Sequence, residues 1–306
     1  KPIPTGAGVG SNSVFGLDAS NGGALSVGST AAQFVVAFQE GFDGMNPATP
    51  IYKGSDIIAG NSQGFNLATS TASGSVAYSR AIAALSNADE FDINMIVTPG
   101  ILKTLHPSVT TKATDVCEER GDAFYVMDLA IEEATVASAV NQANGLDSNY
   151  AAVYYPWVKV LDTSRNKPIF VPPSVIVPAA IAASDRIGAE WFAPAGLNRG
   201  VLGNVIEAKI RLNQSERDKL YDAKINPIAT FPATGVCIWG QKTLQERSTA
   251  LDRINVRRLL IALKKFIGSS SKFLVFEQNT QATRNRFLNI VNPYLESIQQ
   301  RQGLFA

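Results

Sequence analysis

Residues 150–200 read YAAVYYPWVKVLDTSRNKPIFVPPSVIVPAAIAASDRIGAEWFAPAGLNRG, and three shorter runs follow: INPI at 225–228, VCIWGQKTL at 236–244 and DRINVRRLLIALKK at 252–265. Trp157 and Trp191 lie in the first run and Trp239 in the 236–244 run. Large aromatic side chains at this density call for a core around them. The stretch holds no histidine and no group of acids at metal-ligand spacing, so it reads as a packing and assembly signature rather than a chemical one. Locally, Tyr150–Leu161 and Lys167–Val171 predict a hairpin. Pro172-Pro173-Ser174 opens a helix through Ala183, with Pro178 as its flaw.

Downstream, Gln214–Lys224 predicts a charged helix that Asn213 can cap, and Val236–Trp239 a strand. Ile254–Ile267 is the clearest amphipathic helix: Val256, Leu259, Leu260, Leu263, Phe266 and Ile267 share one face. Phe273–Phe276 predicts a last strand, and Thr283–Gln300 a last helix interrupted by Pro293.

Upstream, Ser75–Ser86 predicts a helix, Phe91–Val97 a strand, and Thr110–Arg120 a helix closed by Gly121. Ala123–Leu129 predicts a second strand. Ile131–Asn144 predicts a helix with Glu132 and Glu133 in its first turn, where the helix dipole favours acids. This alternation implies an α/β fold with a mixed, mostly parallel sheet flanked by helices. Before Ser73 the chain is different. Residues 1–30 are rich in Gly, Ser and Asn, Gln33–Gln39 reads as a short strand, and Glu40–Gly44 as a turn. The division is a smaller β-rich, turn-rich region at 1–72 and an α/β core at 73–306.

A chain of 306 residues is ample for a buried core, and its net charge of +1 gives no field that argues for nucleic acid or membrane. No apolar run reaches the length of a spanning helix. Cys117 and Cys237 fit no paired motif and read as buried reduced thiols. The lone His106 precedes Pro107 and has no nucleophile motif to serve, so it reads as a surface or loop-packing residue. Gly6, Gly8 and Gly10 have the wrong spacing for a phosphate loop. Asp89, Glu90 and Asp92, and Glu118-Glu119, read as solvated acids. Five cations, Arg253, Arg257, Arg258, Lys264 and Lys265, fall on the arc of the 254–267 helix opposite its apolar face. That arc is either a solvated polar face or an electrostatic contact surface for an acidic partner.

Six motifs stand in a familiar order. They are Tyr155-Pro156-Trp157; Val171-Pro172-Pro173 with a small-residue helix ending Asp185-Arg186; the run Ala193–Gly200; Ile225–Ile228; Trp239–Thr243; and Asp252–Leu259. In this order they resemble the core of contractile tail sheath proteins of myophages. Sheaths of contractile bacteriocins and secretion systems belong to the same machine class. The resemblance implies a structural subunit without active site or cofactor. Its partners would be other sheath subunits, the tail tube and the baseplate, and its place the virion tail, after assembly in the host cytoplasm. It also implies terminal arms outside 1–306, so that this fragment is expected to be monomeric, with edge strands left unpaired where an arm docks. The cation arc would face the tube or a neighbouring subunit. The alternation alone also permits a second reading, an α/β hydrolase or phosphate-binding enzyme.

Overall fold

The computed structural model describes residues 57–163, 166–232 and 234–305, and the Gln33–Gln39 strand and Glu40–Gly44 turn lie outside these. Gly54–Ala306 form one compact unit. Its centre is a five-stranded sheet in the order β1 (Met95–Leu102), β2 (Phe124–Asp128), β3 (Ala151–Tyr155), β7 (Ile225–Phe231), β8 (Gly235–Ile238). The first four strands are parallel and β8 runs antiparallel beside β7. A three-stranded antiparallel sheet, with β4 (Val158–Asp162) between β5 (Lys167–Val171) and β6 (Val205–Ala208), packs against one face.

Alternation along the strands decides what each face meets. Tyr125, Met127, Ala151, Val153 and Tyr155 join the core that includes α1 (Ser73–Ala84), α2 (Pro107–Arg120), α3 (Val136–Ala143) and α5 (Gln214–Asp222). Phe124, Val126, Ala152 and Tyr154 join the opposite core, with α4 (Val177–Ile187), α6 (Ile254–Ser271) and the small sheet. Strands covered on both faces are mostly apolar, and β2 and β3 are buried at every position, Asp128 at the end of β2 being the charged exception. Residues 57–72 pack on the first core, where Leu67 is buried among Ile96 and Ile101.

Several sequence expectations hold to within a few residues. Gly121 closes α2 with φ +62°, the left-handed conformation that favours glycine. Asn213 caps α5 through a reciprocal pair: its Oδ1 accepts from the Glu216 N–H, and the Glu216 carboxylate accepts from the Asn213 N–H. Pro178 proves harmless, because a 3₁₀ turn at Pro173–Val175 precedes α4 and places the proline in its first turn.

Others are corrected. The 150–161 hairpin arm is two strands in two sheets, since the chain leaves β3 at Tyr155 and enters the small sheet at Val158. Helix α3 begins only at Val136. The preceding turn is held by the Tyr155 hydroxyl, which donates to the Ala134 carbonyl at 2.5 Å, and by the Trp157 indole, which donates to Ala130 at 2.9 Å. Glu132 and Glu133 both bind Lys209 instead of a helix dipole. Phe273–Phe276 is not a strand. Lys272–Leu274 form a 3₁₀ turn, and Phe276 is fully exposed with φ +70°. Pro293 sits inside an uninterrupted α7 (Gln281–Gln300).

Candidate assembly site

The six motifs are joints of the core. In the 225–228 run, Asn226 is fully buried on β7 and binds Lys242 of the 239–243 run in both directions. Gly240 lies so close to Asn226 that a Cβ there would sit 2.9 Å from its Oδ1. The 193–200 run lies along the outer edge of β8: Gly196 N–H donates to Ile238 O and Ile238 N–H to Gly200 O, each at 2.8 Å. A Cβ on Gly200 would meet three backbone atoms at 2.8 Å, so only glycine fits. Asp185, near the end of α4, forms a two-pronged ion pair with Arg258 of α6.

The cation arc of α6 is turned inward. Ile254 and Ile261, seven residues apart on one side of the helix, are buried against the sheet, and Arg257, Arg258, Lys264 and Lys265 stand on that same side, while Arg253 precedes the helix and is partly exposed. Leu259 and Leu263, on the predicted apolar face, pack instead under α7. Both sides of α6 are therefore covered: the cations lie opposite the predicted apolar face as expected, but that arc packs on the sheet side instead of standing free in solvent. Arg257 is only 7% exposed and lies over the Tyr150 ring at 4.1 Å. Arg258 also reaches Glu190 O, and Lys264 donates to Arg120 O at 2.8 Å. Lys265 donates to Asp92, Ile93 O and Asn94. Arg253 pairs with Asp252 and donates to the Tyr221 hydroxyl. Each headgroup ends on a carboxylate, a main-chain carbonyl, a hydroxyl or a ring of its own domain.

The groups with reactive chemistry are held in the same way. His106 is buried. Its Nδ1 accepts from Leu102 N–H at 3.0 Å, its Nε2 faces Ile58 O at 3.3 Å, and burial holds the imidazole below its ordinary range. It is a packing residue of the loop before α2. Cys117 and Cys237 are buried free thiols, which burial pushes up to about 12 and about 11. Asp89 and Asp92 pair with Lys272 and Lys265, and Glu118 accepts from the Ser148 hydroxyl. Among the described residues no three His, Cys, Asp or Glu are grouped to hold a metal, and no helix is long and apolar enough to cross a membrane.

The edges of the large sheet are occupied, while the edge strands β5 and β6 of the small sheet have no outer strand partner among the described residues. On β1, Pro99 lacks an N–H, its carbonyl accepts from Gln63, and the Gly100 carbonyl accepts from Ser62 at 2.6 Å. The edge of β8 is taken by residues 196–202, β5 carries Lys167 and Pro168, and β6 has four residues. Among the exposed apolar side chains of the described residues, a group gathers where α6 gives way to α7. Phe273, Val275 and Phe276 are 84%, 59% and 103% exposed, and Leu288 and Ile290 on the first half of α7 are also exposed. Apolar surface of this kind, concentrated on one segment, marks an interaction site. Sequence reading missed it, because the same residues made a plausible strand.

A profile of the phage tail sheath protein central domain matches residues 73–244. The chain belongs to that family. The tail sheath protein of Enterobacteria phage T4 is 34% identical over 184 residues, which is 58% of this chain and 27% of that one. That of Vibrio phage KVP40 is 36% identical over 160 residues, 52% of this chain and 23% of that one. The chain thus spans about a quarter of these sheath proteins. Among solved structures, the contracted sheath complex of the extracellular contractile injection system PVC aligns with TM-score 0.62 and 28% identity, over 74% of this chain and 61% of that chain. All six sheath motifs fall within or beside the matched span, and the residues described above as joints are theirs.

Proposed function

We propose that this chain is the central part of a contractile tail sheath subunit, a structural protein that polymerises around a tail tube and shortens to drive the tube through the host envelope. The observation that carries this reading is the sheath-domain match across 73–244, laid over a fold whose motif residues are joints between elements. Its partners are other sheath subunits, the tube and the baseplate, and its place is the virion tail after assembly in the host cytoplasm. The work is mechanical. No catalysis is assigned, and the lone histidine and both thiols are committed to packing. The N-terminal region forms a second, β-rich part of the subunit, and residues 57–72 ride on the core. The surface assigned to assembly is the Phe273–Phe276 tip with the first half of α7, in place of the cation arc.

The test uses the full-length sheath protein that contains this region, mixed with tubes and viewed by electron microscopy. Wild-type protein is expected to form sheathed tubes. A Phe273→Ser, Phe276→Ser double variant should fold within about 0.5 kcal/mol of wild type, as exposed positions do, yet fail to sheathe. Normal sheaths from that variant would remove the tip from the interface. Absence of any polymer from wild-type protein would remove the sheath reading itself. Residues 1–306 alone are expected to scatter light as a monomer. Long tubes formed by 1–306 would show that the linking segments lie inside it.

A further inference from the structure

Of the cations on α6, Arg257 alone has a side chain that finds no acceptor among the described residues. Arg258 and Lys265 donate to carboxylates, and Lys264 to a main-chain carbonyl. Arg257 is 7% exposed, and its Nε is buried without a partner. The guanidinium lies over the face of the Tyr150 ring at 4.1 Å and makes no hydrogen bond or ion pair among the described residues. A ring face offsets only part of the cost of burying a guanidinium, and it leaves the N–H donors unused.

Two more donors stand close by. The Tyr150 hydroxyl has no hydrogen-bond partner among the described residues. Lys264, two turns on from Arg257 along the same side of α6, gives one N–H to Arg120 O and has two left. A Cβ at Gly121 would lie 2.5 Å from Lys264 Nζ and 3.2 Å from the Tyr150 hydroxyl, so these two groups share one small space. Tyr150 therefore carries a buried cation over its ring and a second one near its hydroxyl, with no anion bound to either.

Tyr150 also lines an open cleft of about 530 Å³ together with Glu118, Asp147, Ser148, Arg247 and Leu251. The acids of that wall are engaged: Glu118 accepts from the Ser148 hydroxyl, and Asp147 from the Glu246 N–H at 2.7 Å. They outnumber Arg247, which weighs against a ligand with two negative charges, such as phosphate.

We propose that Arg257, Tyr150 and Lys264 form a binding site for a single carboxylate group, entered through the cleft beside Tyr150. One carboxylate oxygen takes the guanidinium and the other the phenol hydroxyl, and Lys264 supplies the second positive charge. A carboxylate free in solution and one on the side chain of another protein chain present the same chemistry.

Nitrogen-15 NMR of the whole chain tests this through the Arg257 Nε–H signal, assigned by its loss in Arg257→Met. At constant pH and ionic strength, exchanging chloride for acetate should move the signal along a saturable curve, half-complete on the order of millimolar for so small a ligand. Tyr150→Phe keeps the ring under Arg257 and removes the hydroxyl, so it should weaken acetate about tenfold. Acetate should also raise the melting temperature of wild type above its value in chloride, and leave that of Arg257→Met unmoved. A tripeptide with blocked ends and a central glutamate distinguishes the sources. A shift matching that of acetate assigns the site to a protein side chain, and no shift beside a full acetate response assigns it to a free carboxylate. Absence of a saturable acetate shift, an unchanged affinity in Tyr150→Phe, or tighter binding of sulfate than of acetate would each overturn the site. Should Arg257→Met not fold, Arg257→Lys supplies the assignment, and the wild-type and Tyr150→Phe titrations decide.

Discussion

Arg120→Ala should lower the unfolding free energy by about 3–5 kcal/mol, the range found when a buried ion pair loses one partner. Arg120 ends α2 with its side chain 1% exposed, and grips the Asp122 carboxylate through Nε and Nη2 at 2.8 and 2.9 Å. The same guanidinium donates to Leu85 O at 2.5 Å and Phe91 O at 2.8 Å, so it anchors the whole passage from α1 to β1. Its own carbonyl receives Lys264 of α6. Truncation strands a nearly buried anion and two carbonyls together. Arg120→Lys should recover little, because a point charge cannot make the fork. Denaturant titration of the three proteins measures this, and hydrogen exchange should locate the damage at 85–94. A loss below about 1 kcal/mol, the usual value of an exposed pair, would show that the anchor is ornamental.

Asn226→Ala should be of similar severity. The amide of this fully buried side chain donates to Val153 O at 3.1 Å and Lys242 O at 2.8 Å, and its Oδ1 accepts from Lys242 N–H at 2.6 Å. Each main-chain group left unpaired costs about 1–3 kcal/mol, so a loss of about 3 kcal/mol or more is expected. Asn226→Asp is expected to rescue nothing. It keeps the acceptor but turns a carboxylate towards two carbonyls in a dry site. Gly240→Ala should also destabilise, since the added carbon presses on Asn226. Thermal unfolding of the set is the measurement. An Asn226→Ala variant that melts with wild type would mean that water or a rearranged loop replaces the amide.

What could be read from the sequence was whatever local chemistry determines. The β2 strand is apolar at nearly every position, Gly121 ends α2, and Asn213 starts α5 with Glu216 three residues on. Each needs only its neighbours. β7 escaped notice because Pro227 interrupts it. The structure tolerates this proline where it pairs with Tyr155, the last residue of β3, so that the missing N–H falls at the end of that ladder. The reading of α6 failed for a different reason. Periodicity finds the longest apolar stripe, and that stripe meets α7. The side facing the sheet shows only Ile254 and Ile261 between long cations, whose stems pack while their heads find carbonyls and carboxylates. No pattern of residue types distinguishes such a face from a wet one. The same limit hid Arg120, Asn226 and Asp128: apart from Asp122 beside Arg120, their partners lie 16 to 73 residues away in sequence.

Helix α6 has 18 residues, a rod of about 27 Å, with packed layers on two sides and a bare aromatic tip just past its end. A force applied at Phe276 has little slack to take up along the way. Ile254 and Ile261 bear on the sheet, Leu259 and Leu263 on α7, and Arg258 is clamped to α4. Such a helix behaves as a strut, stiff in compression and braced against buckling from either side. Load entering at the tip is delivered to the strands, and a displacement there moves the whole body with it.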